Sequence, residues 1–487
     1  MKSPGFLFSL TLFSILLFWR YSSGQKQEQI LNLQEVVDLA QGQSIAASQA
    51  KTTRQTRYWE WRTFQADLRP QLLLQGNLPD FQRSYSEVIQ PDGTVDFQPI
   101  KINNSGLSLN LQQRIAATGG TVFANTLIQR FDDFDRERTI YNGRPFSIGI
   151  EQPLFGFNQL RWDKKIEPLR YQESQQQYLL DCELIAVDAT ELYFDVLLAQ
   201  VNLEMARVNL ANNDTLYAIA QERAALGRLS QNDLLQLQLG VLNARKDEAT
   251  ARQDLAGAQQ RLQAFTGISL DKNTGLTLPL DIPAVPVDEA TALEQARLNR
   301  PEVTGFRRRQ LEADQTMARA RGETGIEATL QANFGLSNRA SNLADIYTRP
   351  QDQQIVSLQF AIPILDWGRA SSRRETAKAN RELVNATVEQ DRINFEQEIQ
   401  TQVTLYNMLR EQLALVREAD QIAQERYQIA KDRFVLGDLS ITDLNLAIQE
   451  KDRAKRDYVT ALRLFWDAHY TLRTLTLYDF EKHQKIF

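Results

Sequence analysis

Apolar residues recur every seven positions along three long stretches of this chain: Leu180, Val187, Phe194, Val201 and Val208; Leu237, Ala244, Ala251, Ala258 and Phe265; and Ala447, Ala454, Ala461, Ala468 and Leu475. A sevenfold period is the seam of a coiled coil, and alanine on the seam lets helices approach closely. An ordinary bundle core would carry the same stripes. Length argues for something else, because a helix from Trp162 to Leu226 would be about 95 Å long at 1.5 Å per residue. No compact domain needs that, whereas the wall of a tube does.

Between the helical stretches the period drops to two. Leu72, Leu74 and Gly76; Leu107, Leu109 and Leu111; Phe146, Ile148 and Ile150; Ala328, Leu330, Ala332 and Phe334; and Val356, Leu358, Phe360 and Ile362 alternate with polar residues such as Ser108, Asn110, Ser147, Glu151, Gln331, Asn333 and Gln359. Period two predicts strands with one apolar face, as expected with lipid outside and water inside, or in a soluble sandwich beside a helical domain. At least four strands are predicted. Thr121 to Arg130, joined to the 105–114 strand through Ala117-Thr118-Gly119-Gly120, adds a hairpin and makes six. The polar segments Gln90–Gly93 and Phe131–Arg138 suit outer loops of a membrane barrel. So few strands cannot close a water-filled barrel, and lipid does not tolerate open edges, so a membrane reading demands several copies.

The chain also repeats itself. Arg223-Ala-Ala-Leu-Gly227-Arg-Leu229-Ser230-Gln-Asn-Asp233-Leu234 returns 210 residues later as Arg433-Phe-Val-Leu-Gly437-Asp-Leu439-Ser440-Ile-Thr-Asp443-Leu444. The same offset pairs Ser147 with Ser357, Pro153 with Pro363 and Leu262 with Leu472, which marks a tandem duplication. It is a multiple of seven, so the stripes survive it. A weaker match pairs Leu33-Gln-Glu35-Val36 with Val287-Asp-Glu289-Ala290. The extended, proline-containing stretch 281–286 reads as a linker. The first repeat is placed at 25–280, with a helix, strands about 70–153 and a helical hairpin at 157–266. The second is placed at 281–487, with a helix, strands about 327–363 and a hairpin at 367–478.

Residues 1–24 read as a secretory signal: Lys2, an apolar run from Phe6 to Trp19, then Ser22-Ser23-Gly24. The run is about 14 residues, short of the roughly 20 that cross a bilayer as a helix. The net charge of −6 and the lack of a basic stretch with interleaved aromatics give a nucleic-acid partner no electrostatic support. The one cysteine, Cys182, forbids an internal disulfide and reads as a small buried hydrophobe. The two histidines, His469 and His483, have no partner at metal-ligand spacing, and serine–histidine chemistry would rest on a fraying tail. With no phosphate loop, nucleophile elbow or zinc-protease motif, no enzyme activity, cofactor or metal is expected.

Taken together these features resemble the TolC outer-membrane efflux family. The residues that carry the resemblance are Pro70 before the first strand, Gln152-Pro153-Leu154-Phe155 and Ile362-Pro363-Ile364-Leu365 where strand passes into helix, and the two Leu-Gly-x-Leu-Ser-x-x-Asp turns. Glu151-Gln-Pro-Leu-Phe-Gly-Phe-Asn158 and Trp162-Asp-Lys-Lys165 are similar to members from Bacteroidota-type bacteria. The resemblance implies a mainly α fold with membrane β: a duplicated helix–strand–strand–helix unit, three copies sharing one β-barrel continued by a coiled-coil helical barrel. It implies a passive exit duct in the outer membrane of a Gram-negative cell, reaching into the periplasm and joined through a periplasmic adaptor to an inner-membrane pump. Six strands per copy would depart from the family, giving eighteen rather than twelve in a trimer. A protein-secretion duct and a soluble, secreted coiled-coil scaffold are the alternative functions.

Gly227 and Gly437 suit helix ends that need a left-handed residue, and Ser230 and Ser440 suit the next helix's N-cap, with Asp233 and Asp443 three positions on. By resemblance the two turns form the periplasmic tip, where Gly227, Leu229, Ser230, Gly437, Leu439 and Ser440 dock the adaptor. Asp233 and Asp443 then belong to the aperture, Asp443 as an acidic ring. Leu439 and Leu446 stand where the family has an arginine and a second aspartate, so the constricting network must differ.

Overall fold

The computed structural model describes residues 30–227, 229–267, 275–283 and 285–486. The expected leader and Arg228 of the first turn lie outside them. The first half runs β1 (Ile30–Leu31), α1 (Leu33–Gln43), α2 (Ile45–Asp67), β2 (Gln71–Asn77), β3 (Phe81–Ile89), β4 (Val95–Arg114), β5 (Thr121–Asp133), β6 (Arg138–Pro153), α3 (Gln159–Ala225) and α4 (Gln231–Thr266). The second runs β7 (Gly275–Leu276), α5 (Glu289–Asn299), α6 (Pro301–Gly322), β8 (Glu327–Ala340), β9 (Gln351–Ala361), α7 (Arg369–Leu436), α8 (Ile441–Thr476), β10 (Tyr478–Asp479) and β11 (Gln484–Lys485). Position 280 falls in the extended segment between β7 and α5.

Two helices dominate. α3 has 67 residues and α7 has 68, about 100 Å each at 1.5 Å per residue. Around them the shorter helices form a row two storeys high: α2, α3, α6 and α7 pack side by side nearer the sheet, and α4, α3, α8 and α7 further from it. α3 lies inside the row, whereas α7 ends it on one side and α2 with α4 end it on the other. The seam residues Leu180 and Phe194 are buried, as are Leu237, Ala244, Ala251, Ala258, Ala447, Ala468 and Leu475. Val208 is 41 % exposed, so that stripe is covered only in part.

The sheet is antiparallel and ordered β2-β4-β5-β6-β8-β9, with β3 also on β4. β2 pairs with residues 106–112 of β4 and β3 with 95–103, so the two lie end to end along one long partner. The hairpin turn at 115–120 closes through Ile115 N–H to the Gly120 carbonyl and Gly119 N–H to the Ile115 carbonyl, both 2.8 Å, with Gly119 at φ +80°. β3 was not anticipated, because Arg83 and Glu87 interleave with Phe81, Tyr85 and Ile89 and blur the alternation. The polar segment at 131–138 is partly strand, since β5 continues to Asp133.

The main core lies where the short helices α1 and α5 wrap the middle of the row. Tyr193, Phe194, Tyr406 and Phe465 are almost fully buried there, each worth about 1.5–3 kcal/mol in area removed from water. The Tyr193 hydroxyl donates to the Thr277 carbonyl and ties the inter-repeat segment to α3; burial pushes its pKa up to about 12.

Two expectations change here. Cys182 is half-buried, not buried: it sits on α3 beside Tyr178, and desolvation raises its thiol pKa. His469 does not fray. The chain beyond α8 folds back as the β10–β11 hairpin, held by Ile486 N–H to the Leu477 carbonyl at 3.1 Å. His469 therefore stays buried among Tyr406, Trp466 and Tyr470.

An ion cluster clamps this end to α3. Arg473 grips the buried Glu183 with two hydrogen bonds of 2.8 and 3.1 Å and reaches Asp479 at 3.0 Å. Arg473→Met leaves Glu183 buried without its partner and should cost about 3–5 kcal/mol, read as a lower midpoint in denaturant unfolding. A pH window is expected as well. Burial, with Arg473 alongside and Asp479 opposing, lowers the His469 pKa from 6.5 to about 4. As pH falls between those values the unfolded chain takes up a proton that the folded chain refuses, so stability declines by up to about 3 kcal/mol. His469→Gln should flatten that decline in unfolding midpoints measured across the window.

Candidate functional site

The far ends of the two hairpins form one tip. α3 stops at Leu226, whose N–H reaches the Glu222 carbonyl at 3.1 Å, and Gly227 follows at φ +72°. α7 stops in the same way: Gly437 N–H bonds the Phe434 carbonyl at 3.1 Å, as Gly227 N–H bonds the Ala224 carbonyl at 3.0 Å, and Asp438 N–H bonds the Arg433 carbonyl at 3.0 Å, with Gly437 at φ +92°. This double closure satisfies carbonyls that the helix end leaves open.

Each following helix opens on a serine. The Ser230 Oγ accepts from Asp233 N–H at 3.2 Å and donates to the Asp233 carboxylate at 2.7 Å. Ser440 repeats this with Asp443 at 3.1 and 2.6 Å. Both aspartates thus sit in the first turn of a helix, where its dipole favours negative charge.

Behind the turns lies a small second core of Leu216, Ala220, Leu237, Tyr427, Phe434, Leu444 and Ala447. Leu229 and Leu439 pack against it, so half of each side chain is already used inside the protomer. Polar contacts stitch the hairpins together just above. Asn212 on α3 donates to the Tyr427 hydroxyl at 2.8 Å and accepts from Lys431 at 3.3 Å, both on α7. Arg223 reaches the Val435 carbonyl at 3.2 Å.

A groove of about 270 Å³ runs between the hairpins and is lined by Leu229, Asp233, Gly437, Leu439 and Ser440 among others. These five expected residues converge on one surface. Gly227, Ser230 and Asp443 lie at the tip but outside that groove. The sequence reading passed over Leu226 and Leu436, which are 71 % and 76 % exposed and occupy equivalent positions in the two repeats. Their signal was present as a Leu-Gly pair in each turn, of which only the glycine was weighed.

At the other end, the sheet presents one apolar face. Cross-strand register aligns Leu72 with Leu111, Leu111 with Ala124, Ala124 with Ile148, Ile148 with Phe334, and Ala332 with Val356. Leu72, Leu74, Val356, Leu358 and Phe360 are each more than half exposed. The opposite face aligns Asn110 with Asn125 and Ser147, and Gln331 with Glu151 and Ser357. Among the described residues no helix is long and apolar enough to cross a membrane, and no cluster of histidine, cysteine and acidic side chains could hold a metal ion.

The family model for outer membrane efflux proteins matches residues 109–268 and 292–476, well over half of the chain. The chain belongs to the outer membrane efflux protein family. It is an outer-membrane channel of the helical-barrel type, its helices extending into the periplasm. Similar curated proteins include the probable outer membrane lipoprotein SilC of Salmonella typhimurium, 24 % identical over 68 % of this chain and 73 % of SilC. The cation efflux system protein CusC of Escherichia coli is 24 % identical over 53 % of this chain and 54 % of CusC, so that match spans about half of its length. Among solved structures, the CmeC outer membrane channel of Campylobacter jejuni superposes with a TM-score of 0.64 at 15 % identity, covering 97 % of this chain and 94 % of CmeC. CusC superposes at 0.62, with 91 % of both chains covered.

The tip caps carry a local prediction. Ser440→Ala should cost about 1 kcal/mol, and Gly437→Ala, held at φ +92° with no atom within 4 Å of the added carbon, about 1–2 kcal/mol from backbone strain alone. Amide hydrogen exchange should quicken around residues 431–447 while the belt near Tyr193 keeps its protection.

Proposed function

We propose that three copies of this chain close into one passive conduit through the outer membrane, joined at the tip to a periplasmic adaptor and through it to an inner-membrane pump. One observation supports the closure above all others. The apolar-faced sheet ends on β2 at one side and β9 at the other, with no partner strand on either outer edge among the described residues. β2 follows α2 and β9 leads into α7, so sheet and helix row end on the same two sides. Joining the β9–α7 side of one copy to the α2–β2 side of the next gives a heterologous contact that closes by rotation and removes the edges that lipid forbids.

At the tip, the exposed Leu226 and Leu436, the glycine turns and the groove beside Leu229, Leu439 and Ser440 supply apolar and backbone contacts for an adaptor. Asp443 is exposed at the tip, and three copies around a narrow aperture would favour cations. Asp233, already engaged in the intraprotomer groove, serves the constriction less directly. The likeness to the cation efflux system protein CusC favours efflux of small solutes. The alkaline protease secretion protein AprF of Pseudomonas aeruginosa, 23 % identical over 50 % of this chain and 51 % of AprF, keeps protein export as a second reading.

The deciding measurement is outer-membrane fractionation of cells making the full chain, followed by the mass of the detergent-extracted protein. A stable trimer in the outer membrane is expected, and a soluble monomer would remove the conduit. Asp443→Asn, which keeps the hydrogen bond to Ser440 and removes the charge, should lower cation preference in planar-bilayer recordings; unchanged selectivity would rule out the acidic ring.

A further inference from the structure

Below the belt, α7 carries Met408, Leu415, Ile422 and Ile429, seven residues apart and each more than half exposed. This stripe is separate from the seam that α7 already uses, whose members Tyr406, Leu413, Tyr427 and Phe434 are buried on another side of the helix. α4 has a second stripe too. Leu235, Leu242, Ala249 and Ala256 are exposed and seven apart, beside the buried seam at Leu237, Ala244, Ala251 and Ala258. Inside the row the pattern does not recur: the large exposed apolar residues of α3 are Leu184 and Val208, those of α8 are Leu446 and Leu464, and neither pair keeps the sevenfold spacing. A helix needs one such seam per partner, so the extra stripe on each outermost helix calls for another helix to cover it.

The two stripes fit each other. α4 runs up from the tip and α7 runs down to it, so they meet antiparallel. Counted from Ser230, the α4 stripe stands at 5, 12, 19 and 26 residues; counted back from Gly437, the α7 stripe stands at 8, 15, 22 and 29. Rotation about a shared axis keeps the tips of all copies level, so the side chains interleave over about 32 Å at 1.5 Å per residue. Nearer the belt, the bulky Leu415 and Met408 meet the small Ala249 and Ala256.

Charge follows the same register. Three positions after each residue of the α7 stripe stands an exposed acid: Glu411, Glu418, Glu425 and Asp432. Three positions after Leu242 and Ala249 stand Arg245 and Arg252, whose side chains stay more than half exposed beside Asp214 and Glu248. In an antiparallel pair of right-handed helices these two flanks lie on one side of the contact. Arg245 then falls between Glu425 and Glu418, and Arg252 between Glu418 and Glu411, the placement by which flanking charges set partner and orientation in coiled coils.

We infer that a second copy of this chain covers the stripe: α7 of one copy and α4 of the next form an antiparallel apolar zipper, flanked on one side by ion pairs, from the belt to just above the tip. The inference rests on the trimeric conduit proposed above and names the surface that joins its lower helical storey. α4 lies below α2, on the side that receives α7. Leu436, next in the α7 stripe, stands at the tip turn and stays free for the adaptor. The zipper needs neither the arginine nor the second aspartate whose places Leu439 and Leu446 take.

Cross-linking in cell envelopes tests it. Ile422→Cys and Ala249→Cys, together in a Cys182→Ser background, should be joined by a short bis-maleimide. The two helices end opposite sides of one copy, so the link ties copy to copy and shows as dimer and trimer bands on a denaturing gel. Ile422→Cys with Leu235→Cys, about 15 Å apart along the seam, is the control for register and should link at least tenfold less. Glu418→Arg should lower the yield of the first pair severalfold, as should Arg245→Glu with Arg252→Glu, whereas all three changes together should give more than either set alone. A detergent-stable trimer in which Ile422→Cys and Ala249→Cys stay unlinked, or link no better than the control, overturns the zipper, leaves the conduit standing and returns the stripe to an adaptor. Absence of the trimer before any substitution removes both.

Discussion

A sheet that enters lipid must leave no backbone N–H or carbonyl without a partner, since hydrocarbon offers none. Everything else in this molecule is arranged around that requirement. The protomer satisfies it across five strand junctions and leaves it unmet on the outer sides of β2 and β9, so the isolated chain is an incomplete object. The helix row obeys the same geometry because each edge strand is tied directly to an edge helix. Closing the sheet therefore closes the helices, and the tube that results extends far past the membrane with no helix among the described residues long and apolar enough to cross it.

The tandem repeat explains how one sequence encodes a wall. Each half supplies a long helix, a shorter return helix and the strands above them, and the multiple-of-seven offset keeps the coiled-coil seams in phase. The halves are not equal. The first carries the additional hairpin, which widens the strand wall, while the second carries the C-terminal clamp, which fastens α8 to α3. Similar helices thus leave room for separate specialisation of exit and belt.

Much of this was legible in the residues. The seams at Leu180 and Phe194, the alternation at Leu107–Leu111 and Val356–Ile362, and the glycine-serine turns each follow from local rules of period and capping, so one short window suffices to read them. What escaped depends on distant neighbours. Arg83 and Glu87 broke the alternation of β3, whose place is set by the overhang of β4. His469 looked like part of a loose end because the fold-back of the last residues depends on Glu183, nearly three hundred positions earlier. At the tip the glycines and serines stand out by their chemistry, but whether a leucine points inward, as Leu229 and Leu439 do, or outward, as Leu226 and Leu436 do, is decided by the opposing hairpin.

The clamp between Glu183 and Arg473 also makes each long hairpin a lever. From Glu183 to the end of α3 the helix runs about 65 Å at 1.5 Å per residue, with the anchored aromatic belt at one end and only a small satellite core at the other. One degree of tilt at the belt displaces the tip by about 1 Å. A packing change too small to disturb the core can therefore shift the tip by about 1 Å, which makes side-chain volume at the belt a determinant of where the tip turns sit at a distance.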